Sequence, residues 1–162
     1  MENAKVKSKL SLIVTVFLFS SVFGFAQDDA YRSDIYKIVE KTSDLADALN
    51  SNSIDFNWFD RWLNDFKKVS SGFEQRYKNV YKQKKSFQET RDGLDGLSLA
   101  WTLFKQAQYA ESQYRESITL DQVTDAQKWK SQATSQRKKG IEDINKAIES
   151  LRDAKNYSEN TE

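Results

Sequence analysis

Three residue types that carry much of protein chemistry are missing, because the 162-residue chain has no cysteine, no histidine and no proline. Without thiols and imidazoles there is no disulfide, no Ser-His or Cys-His catalytic pair, and no ordinary zinc site. Di-iron sites of helical bundles pair Glu with His, so they are excluded as well. We therefore expect a non-enzymatic protein with no metal and no cofactor.

An excess of charge of one sign is also missing. The chain has 25 Lys and Arg residues against 24 Asp and Glu residues, and 38% of its residues are apolar. That balance is ordinary for one folded domain and differs from that of a disordered acidic or basic tail. The overall charge thus indicates no partner.

A long apolar run is found only at the N-terminus. It spans residues 10–25, follows three lysines, and is followed by Ala26. A basic start, an apolar middle and small residues before the cut are typical of a secretory signal peptide, which we predict at residues 1–26. An uncleaved membrane anchor is the alternative, but about 15 apolar residues fall short of the ~20 that span a bilayer. We expect a secreted or periplasmic protein with no stable transmembrane anchor after cleavage.

The rest of the chain has the pattern of helices. Apolar residues recur at intervals of three and four, with no sustained alternation of period two, which indicates an all-α fold. We predict an elongated antiparallel bundle of about four helices in one domain, residues 27–155, followed by a disordered tail, residues 156–162. The predicted helices span residues 29–50, 55–91, 97–118 and 121–155.

Polar and glycine-containing segments predict the turns between these helices. Residues 50–53 are a run of Asn and Ser, Gly93 and Gly96 supply helix-ending geometry, and Thr119 to Gln122 fits a capping box. Chain reversals are therefore expected near residues 52, 94 and 120. A break or bend at Gly140 stays open.

These unequal helices predict an unmatched apolar end. The fourth helix would extend beyond the third, so Ile144, Ile148 and Leu151 would need either another subunit or a fold-back at Gly140. Trp58, beside the inward stripe of the aromatic-rich second helix, is a further candidate contact for a protein partner. Packing against a neighbouring helix is its alternative interpretation.

Basic residues cluster on the second and fourth helices, which would run parallel in an up-down-up-down bundle. Their basic stretches would then form one band for an anionic ligand. The candidate residues are Lys67, Lys68, Lys78, Lys82, Lys85, Lys128, Lys138 and Lys139. The alternative is a solvated face neutralised by the acidic residues of the first helix.

Two charged residues occupy inward positions of the predicted stripes. With a reversal near residue 94, Arg76 and Glu111 come to the same level, and Lys130 follows when the next reversal lies near residue 120. We predict a semi-buried Arg76–Glu111 ion pair, with Lys130 as a third member, that fixes the register of the helices.

The sequence favours an exported, non-enzymatic helical module that acts through protein–protein association, including self-association, as an envelope component or an accessory subunit of a secretion assembly. The alternative is a binding module for an anionic envelope ligand: a glycolipid, an acidic polysaccharide, a lipid surface or DNA. Nucleic acid is the least expected of these ligands.

Overall fold

The computed structural model describes residues 26–51 and 53–160, and the described residues are almost entirely helical, with no β-strand among them. This confirms the predicted all-α class. The predicted signal peptide lies outside the described residues, apart from Ala26. The chain divides into two compact units, Met1–Ser33 and Asp34–Glu162. In the first unit, residues 26–33 are helical.

The second unit is organised around one long antiparallel pair of helices. A first helical stretch, α1, covers residues 34–41. The elements that follow are α2 (Ser43–Asn50), α3 (Phe56–Ser70), α4 (Phe73–Tyr81), α5 (Lys85–Thr119) and α6 (Val123–Glu159). Helices α5 and α6 contact each other along their lengths, while the shorter elements pack on one half of the pair. The predicted layout of four helices is therefore too coarse.

The predicted first helix is interrupted at Thr42, between α1 and α2. Both the backbone N–H and the side-chain hydroxyl of Thr42 donate to the carbonyl of Val39, at 3.0 and 2.7 Å. This three-residue closure replaces the next regular hydrogen bond of the helix, and the Thr42 side chain is buried at the break.

The predicted second helix, which we expected to be the longest, is three separate elements. Gly72 has φ +74°, a left-handed conformation that suits glycine and ends α3. A second break covers residues 82–84, where the Lys84 N–H donates to the Tyr81 carbonyl at 2.8 Å before α5 begins. The chain therefore reverses near residue 83. The reversal predicted near residue 94 was wrong.

Gly93 and Gly96 lie inside α5 and do not form a turn. A Cβ on Gly93 would lie 2.5 Å from Cγ of Leu151, and one on Gly96 would lie 3.1 Å from Cβ of Ala147. Gly140 likewise lies inside a continuous α6, where a Cβ would meet the Phe104 ring at 2.7 Å. These glycines allow two helices to approach closely, and close packing outweighs the cost of glycine in a helix.

The reversal near residue 120 is confirmed, since α5 ends at Thr119 and α6 begins at Val123. Asp121 has φ +56°, and the Gln122 N–H donates to the Ser117 carbonyl at 2.8 Å. The expected capping box was wrong, because no side chain caps the start of α6. Helix α6 extends to Glu159, beyond residue 155, where we expected it to end.

Small residues recur every seventh position along the seam between α5 and α6. The buried positions are Ser86, Gly93, Ala100 and Ala107 on α5, with Ala126, Ala133, Gly140, Ala147 and Ala154 on α6. A seven-residue repeat keeps one face of each helix against the other, as in a coiled coil. Phe104 opposite Gly140 and Lys85 beside Tyr157 show that the pairing is antiparallel.

The large side chains of the core lie in one half of the second unit and at its border, where Phe104 is buried. Aromatic rings of α3 and α4 pack on α5, with Phe59 5.4 Å from Phe104 and Phe73 5.8 Å from Phe87. We call this half the base, residues 34–103 and 140–160. The remaining part of the α5–α6 pair, residues 104–139, is called the arm.

Candidate functional site

The N-terminus of α3 marks the boundary between the base and the arm. The Asp55 carboxylate accepts a hydrogen bond from the Trp58 N–H at 2.8 Å, which caps the helix and fixes its first turn. Within α3, the Asp60 carboxylate accepts from the Trp101 indole N–H at 2.7 Å. The ring of Phe56 lies 6.2 Å from that of Trp101. These contacts hold the start of α3 against the middle of α5.

Arg137 of α6 secures the segment that leads into α3. Its guanidinium donates to the carbonyl of Ile54 at 2.6 Å, and Ile54 itself is buried. The Ile54 carbonyl accepts no hydrogen bond within a helix, and the charged guanidinium of Arg137 satisfies it instead. This contact fixes the segment against α6. Arg137 is therefore a structural residue of the boundary as well as a surface cation.

A cleft of about 810 Å³ opens at this boundary, between the start of α3 and the arm. Apolar and charged side chains share its wall. They include Phe56, Phe104 and Tyr109, the cations Lys105, Arg115 and Arg137, and the carboxylates Asp55 and Glu111. A second cavity of about 650 Å³ also contains Glu111 and Arg137, together with Tyr114 and Lys130. Such surfaces suit an amphipathic partner better than a small apolar ligand.

The end of the arm exposes large apolar side chains. The side chains of Ile118, Leu120 and Val123 are 55%, 59% and 63% exposed, and the three residues belong to one six-residue segment of the chain. We call residues 116–127 the tip of the arm, and residues 104–115 with 128–139 its shaft. Exposed apolar residues gathered at one end of a helical pair are typical of a contact surface.

Charge is divided between the shaft and the tip. The shaft has seven basic residues and one acidic residue, whereas the tip has three acidic residues and no basic residue. Within the described chain, Lys138 with Glu142, at 4.0 Å, is the one ion pair that an arm residue makes. The other ion pairs between described residues lie within the base, for example Arg76 with Asp34 at 2.9 Å. The arm therefore has few ion pairs, although Lys105, Lys128 and Lys130 lie over aromatic rings.

The predicted basic residues do not all lie on the arm. Lys128, Lys138 and Lys139 belong to the shaft, while the five candidates between residues 67 and 85 belong to the base. In the base, Lys68 pairs with Asp65 at 2.7 Å and Lys78 with Glu74 at 3.5 Å. The premise of one band along two continuous parallel helices was wrong, because the predicted second helix breaks twice.

Two of the base lysines that we proposed for the band contact aromatic rings. The Lys67 ammonium lies 5.9 Å from the centre of the Trp101 ring. Lys85 donates to the Tyr157 hydroxyl at 2.6 Å, and this hydrogen bond raises the pKa of the Lys85 ammonium above its ordinary value. Lys82 is exposed. These positions give the base local charge contacts rather than one continuous cationic face.

The residues predicted as an apolar interface pack within the chain. Ile144, Ile148 and Leu151 are buried in the base, because α5 begins at Lys85 and matches α6 along this length. The predicted unmatched end was therefore wrong. Trp58 is half-buried and stacks on Trp62 of its own helix, with ring centres 6.5 Å apart. The exposed apolar surface therefore lies at the opposite end of α6 from the one that the sequence predicted.

The predicted Arg76–Glu111 ion pair was also wrong. The Asp34 carboxylate accepts from the Arg76 guanidinium and from the Tyr77 hydroxyl, each at 2.9 Å. Because the chain reverses near residue 83, Arg76 lies level with the start of α5, far from Glu111. Glu111 and Lys130 do line the same cavity, as expected for two residues at the same height along the helices. The Lys130 ammonium lies 6.0 Å from the Tyr114 ring centre.

Burial raises the pKa of the Tyr77 phenol above its ordinary value of 10.0, and the hydrogen bond to Asp34 adds to this effect. A carboxylate that accepts a hydrogen bond from a buried phenol favours its protonated form. The Asp34–Arg76–Tyr77 cluster therefore joins α1 to α4 and serves the fold of the base.

No group of acidic residues that could hold a metal ion occurs among residues 26–51 and 53–160. Over those same residues, no helix is both long enough and apolar enough to cross a membrane. No protein-family model, no curated protein and no solved structure matches the chain.

Proposed function

We propose that the chain is an exported, non-enzymatic helical module that acts through protein–protein association, as an envelope component or an accessory subunit of a secretion assembly. In this proposal the arm is the contact element and the base is the support that holds it. The observation that carries the proposal is the combination of a basic shaft, in which Lys138 alone forms an ion pair within the described residues, with exposed Ile118, Leu120 and Val123 at the tip.

The chemistry of the arm specifies the partner surface. A protein that covers the shaft should present acidic groups to its seven basic residues, and apolar or basic groups to the tip. The cleft beside Phe56 and Tyr109 would receive apolar side chains of that partner. Aromatic and arginine side chains are the residue types that most often contribute binding energy at protein interfaces.

Site-specific photo-crosslinking in the cells that make the protein tests this proposal. A photoreactive amino acid replaces Val123 at the tip, and in a matched control it replaces Val80 on α4. Both valines are similarly exposed, at 63% and 57%. We expect crosslinks to protein from position 123 and none from position 80. Equal labelling at both positions, or no crosslink from position 123, would contradict the proposal.

A second candidate function is suggested by the shaft alone. Seven basic residues against one acidic residue form a cationic surface that fits an anionic envelope ligand, such as a glycolipid, an acidic polysaccharide or DNA. Retention on heparin or on anionic vesicles that disappears at moderate ionic strength would favour this candidate. Lys128→Glu with Lys139→Glu should then abolish retention, whereas Lys68→Glu with Lys82→Glu in the base should not.

A further inference from the structure

We propose that a groove along the arm binds one acidic amphipathic helix of a partner protein, which continues over the arm the cover that α3 gives to the base. The groove consists of the cleft beside Phe56 and the second cavity beside Tyr114, which share Glu111 and Arg137 in their walls. This inference rests on the proposed function, in which the arm is the contact element, and it names the part of the partner that the arm recognises.

One row of side chains on α5 is covered in the base and becomes exposed along the arm. At seven-residue intervals it runs from the buried Leu97 and Phe104 to Glu111 and Ile118. The ring of Phe59 on α3 packs on this row, with its centre 5.4 Å from that of Phe104. Two intervals further along, Ile118 is 55% exposed. The cover that α3 gives this row therefore ends at the border of the base.

The buried residues that line the groove are small along the arm. They are Ala107 on α5 and Ala133 on α6, while the ring of Phe104 closes the end of the groove at the base. The sixteen residues of α5 from Phe104 to Thr119 are about 24 Å long, close to the length of the 15-residue α3. A groove of this length between two helices fits the apolar stripe of a third helix, with contacts at intervals of three and four residues.

Cations lie along both edges of the groove. Three of them form no ion pair within the described residues: Lys105 and Arg115 on α5, and Lys130 on α6. The ammonium groups of Lys105 and Lys130 lie over the rings of Trp101 and Tyr114, at 4.9 and 6.0 Å from the ring centres. A contact with an aromatic ring leaves the charge of an ammonium group in place, so a carboxylate of a partner still attracts it.

The carboxylates in the walls of the groove do not balance these cations. Asp55 already caps α3, and Glu142 pairs with Lys138 at 4.0 Å. Glu111 is the one acidic residue of the shaft, against seven basic residues. A complementary helix therefore has acidic residues on both flanks of its apolar stripe, as at the flanking positions of a coiled coil.

The apolar side chains distinguish a protein helix from an anionic polymer. A polysaccharide or a nucleic acid would be held by the cations of the shaft and would leave Ile118 uncovered. An amphipathic helix covers Ile118 with the same stripe that enters the cleft beside Phe56, while its acidic flanks reach Lys105 and Lys130. The helix is the occupant that uses both properties of the groove.

Photo-crosslinking from the groove tests this inference in the cells that make the protein. A photoreactive amino acid replaces Gln108 or Ser112, two exposed residues of the cleft wall that lie one turn apart on α5. In the matched control it replaces Gln106, which is also exposed but lies about half a turn from Gln108 on the other side of α5. Mass spectrometry then identifies the captured residues.

We expect positions 108 and 112 to capture one acidic segment of the same protein, and position 106 to capture none. The two probes lie about 6 Å apart along α5, and a helix rises about 1.5 Å per residue. The two captured sites should therefore be displaced by three or four residues. An extended segment, which rises about 3.3 Å per residue, would instead give a displacement of about two residues.

Charge reversal tests recognition by the edges of the groove. Lys105→Glu with Lys130→Glu sets like charges against the acidic flanks, so the crosslinking yield at position 108 should fall at least about tenfold. Lys68→Glu with Lys82→Glu, the same reversal at two exposed lysines of the base, is the matched control and should leave the yield unchanged. Unchanged circular dichroism in both variants would show that the fold persists.

The other outcomes contradict the inference in distinguishable ways. A captured segment without acidic residues, a displacement of about two residues, an unchanged yield after reversal of Lys105 and Lys130, or capture from Val123 but not from the groove would overturn the acidic helix and leave the proposed function standing. If neither the groove nor Val123 captures protein, both fail. Capture of a second copy of this chain would favour self-association instead. Retention on heparin that the reversal of Lys105 and Lys130 abolishes, without any captured protein, would favour an anionic polymer.

Discussion

The base and the arm are built on the same two helices with the same seven-residue spacing, yet they bury very different side chains. In the base, the seam of small residues is covered by aromatic rings from α3 and α4, including Phe59, Phe66 and Phe73. In residues 108–136 of the arm, the buried residues are Ala110, Ser117, Ala126 and Ala133. Identical helix pairing therefore does not give identical stability.

The difference follows from the free energy of burial. A fully buried Phe contributes about 1.5–3 kcal/mol, whereas one buried methyl contributes about 0.8 kcal/mol. Two helices joined only through small residues gain little, because helical stability in proteins comes mainly from tertiary packing. We therefore expect the arm to be the less stable part of the second unit in an isolated molecule, and a partner on the shaft to stabilise it.

The largest expected effect separates the two regions by side-chain truncation. Phe59→Ala removes a ring that contacts Trp62 in the base and Phe104 at the start of the arm, and should lower the free energy of unfolding by about 3–5 kcal/mol. Ile118→Ala removes an exposed side chain of the tip, so in dilute solution it should cost less than about 0.5 kcal/mol. Urea denaturation measures both. Similar losses for the two variants would mean that the arm is packed as tightly as the base.

The next effect concerns the closeness of the helices inside the base. Gly93→Ala would place a methyl 2.5 Å from Leu151 Cγ and 3.0 Å from the Ala147 carbonyl oxygen. We expect a net destabilisation of about 1–3 kcal/mol in thermal or urea unfolding, because overpacking exceeds the gain in helix propensity. Gly96→Ala is the control, since its methyl would lie 3.1 Å from Ala147 Cβ and needs only a small adjustment. Its stability should change by less than about 1 kcal/mol. A stabilised Gly93→Ala variant would refute the close approach.

A smaller effect is the alkaline pH dependence of the base. The raised pKa of Tyr77 means that the unfolded chain loses this proton first as the pH rises. The contribution is therefore fully present below about pH 10 and is lost as the pH rises through the higher pKa of the folded state. Wild-type stability should fall more steeply between about pH 9 and about pH 11 than that of Tyr77→Phe. Parallel stability curves would show that the Asp34 contact does not act on this proton.

Part of this architecture could be predicted from the sequence. The all-α class and the reversal near residue 120 follow from the apolar spacing and the polar loop. The break at Gly72 could not be predicted that way, because Phe66 and Phe73 keep a seven-residue interval across it. The spacing of apolar residues indicates which face of a helix is buried. It does not indicate that one residue between them, Gly72, has a left-handed backbone conformation.

The error at Gly93 and Gly96 had a different origin. Two nearby glycines are an ordinary helix-ending signal as long as the residues that face them are unknown. A signal was nevertheless present, since Gly93, Ala100 and Ala107 recur every seven residues, as do Ala133, Gly140 and Ala147. Two matching series of small residues predict a close helix pair. The register of that pair would have excluded the Arg76–Glu111 contact and revealed the uncovered arm.

Hydrogen–deuterium exchange of the purified chain tests the central claim most directly, that aromatic side chains stabilise the base while the arm lacks such packing. At about 1 µM the amides of residues 104–139 should exchange much faster than those of the base. Protection that is equal in the arm and the base would contradict the account.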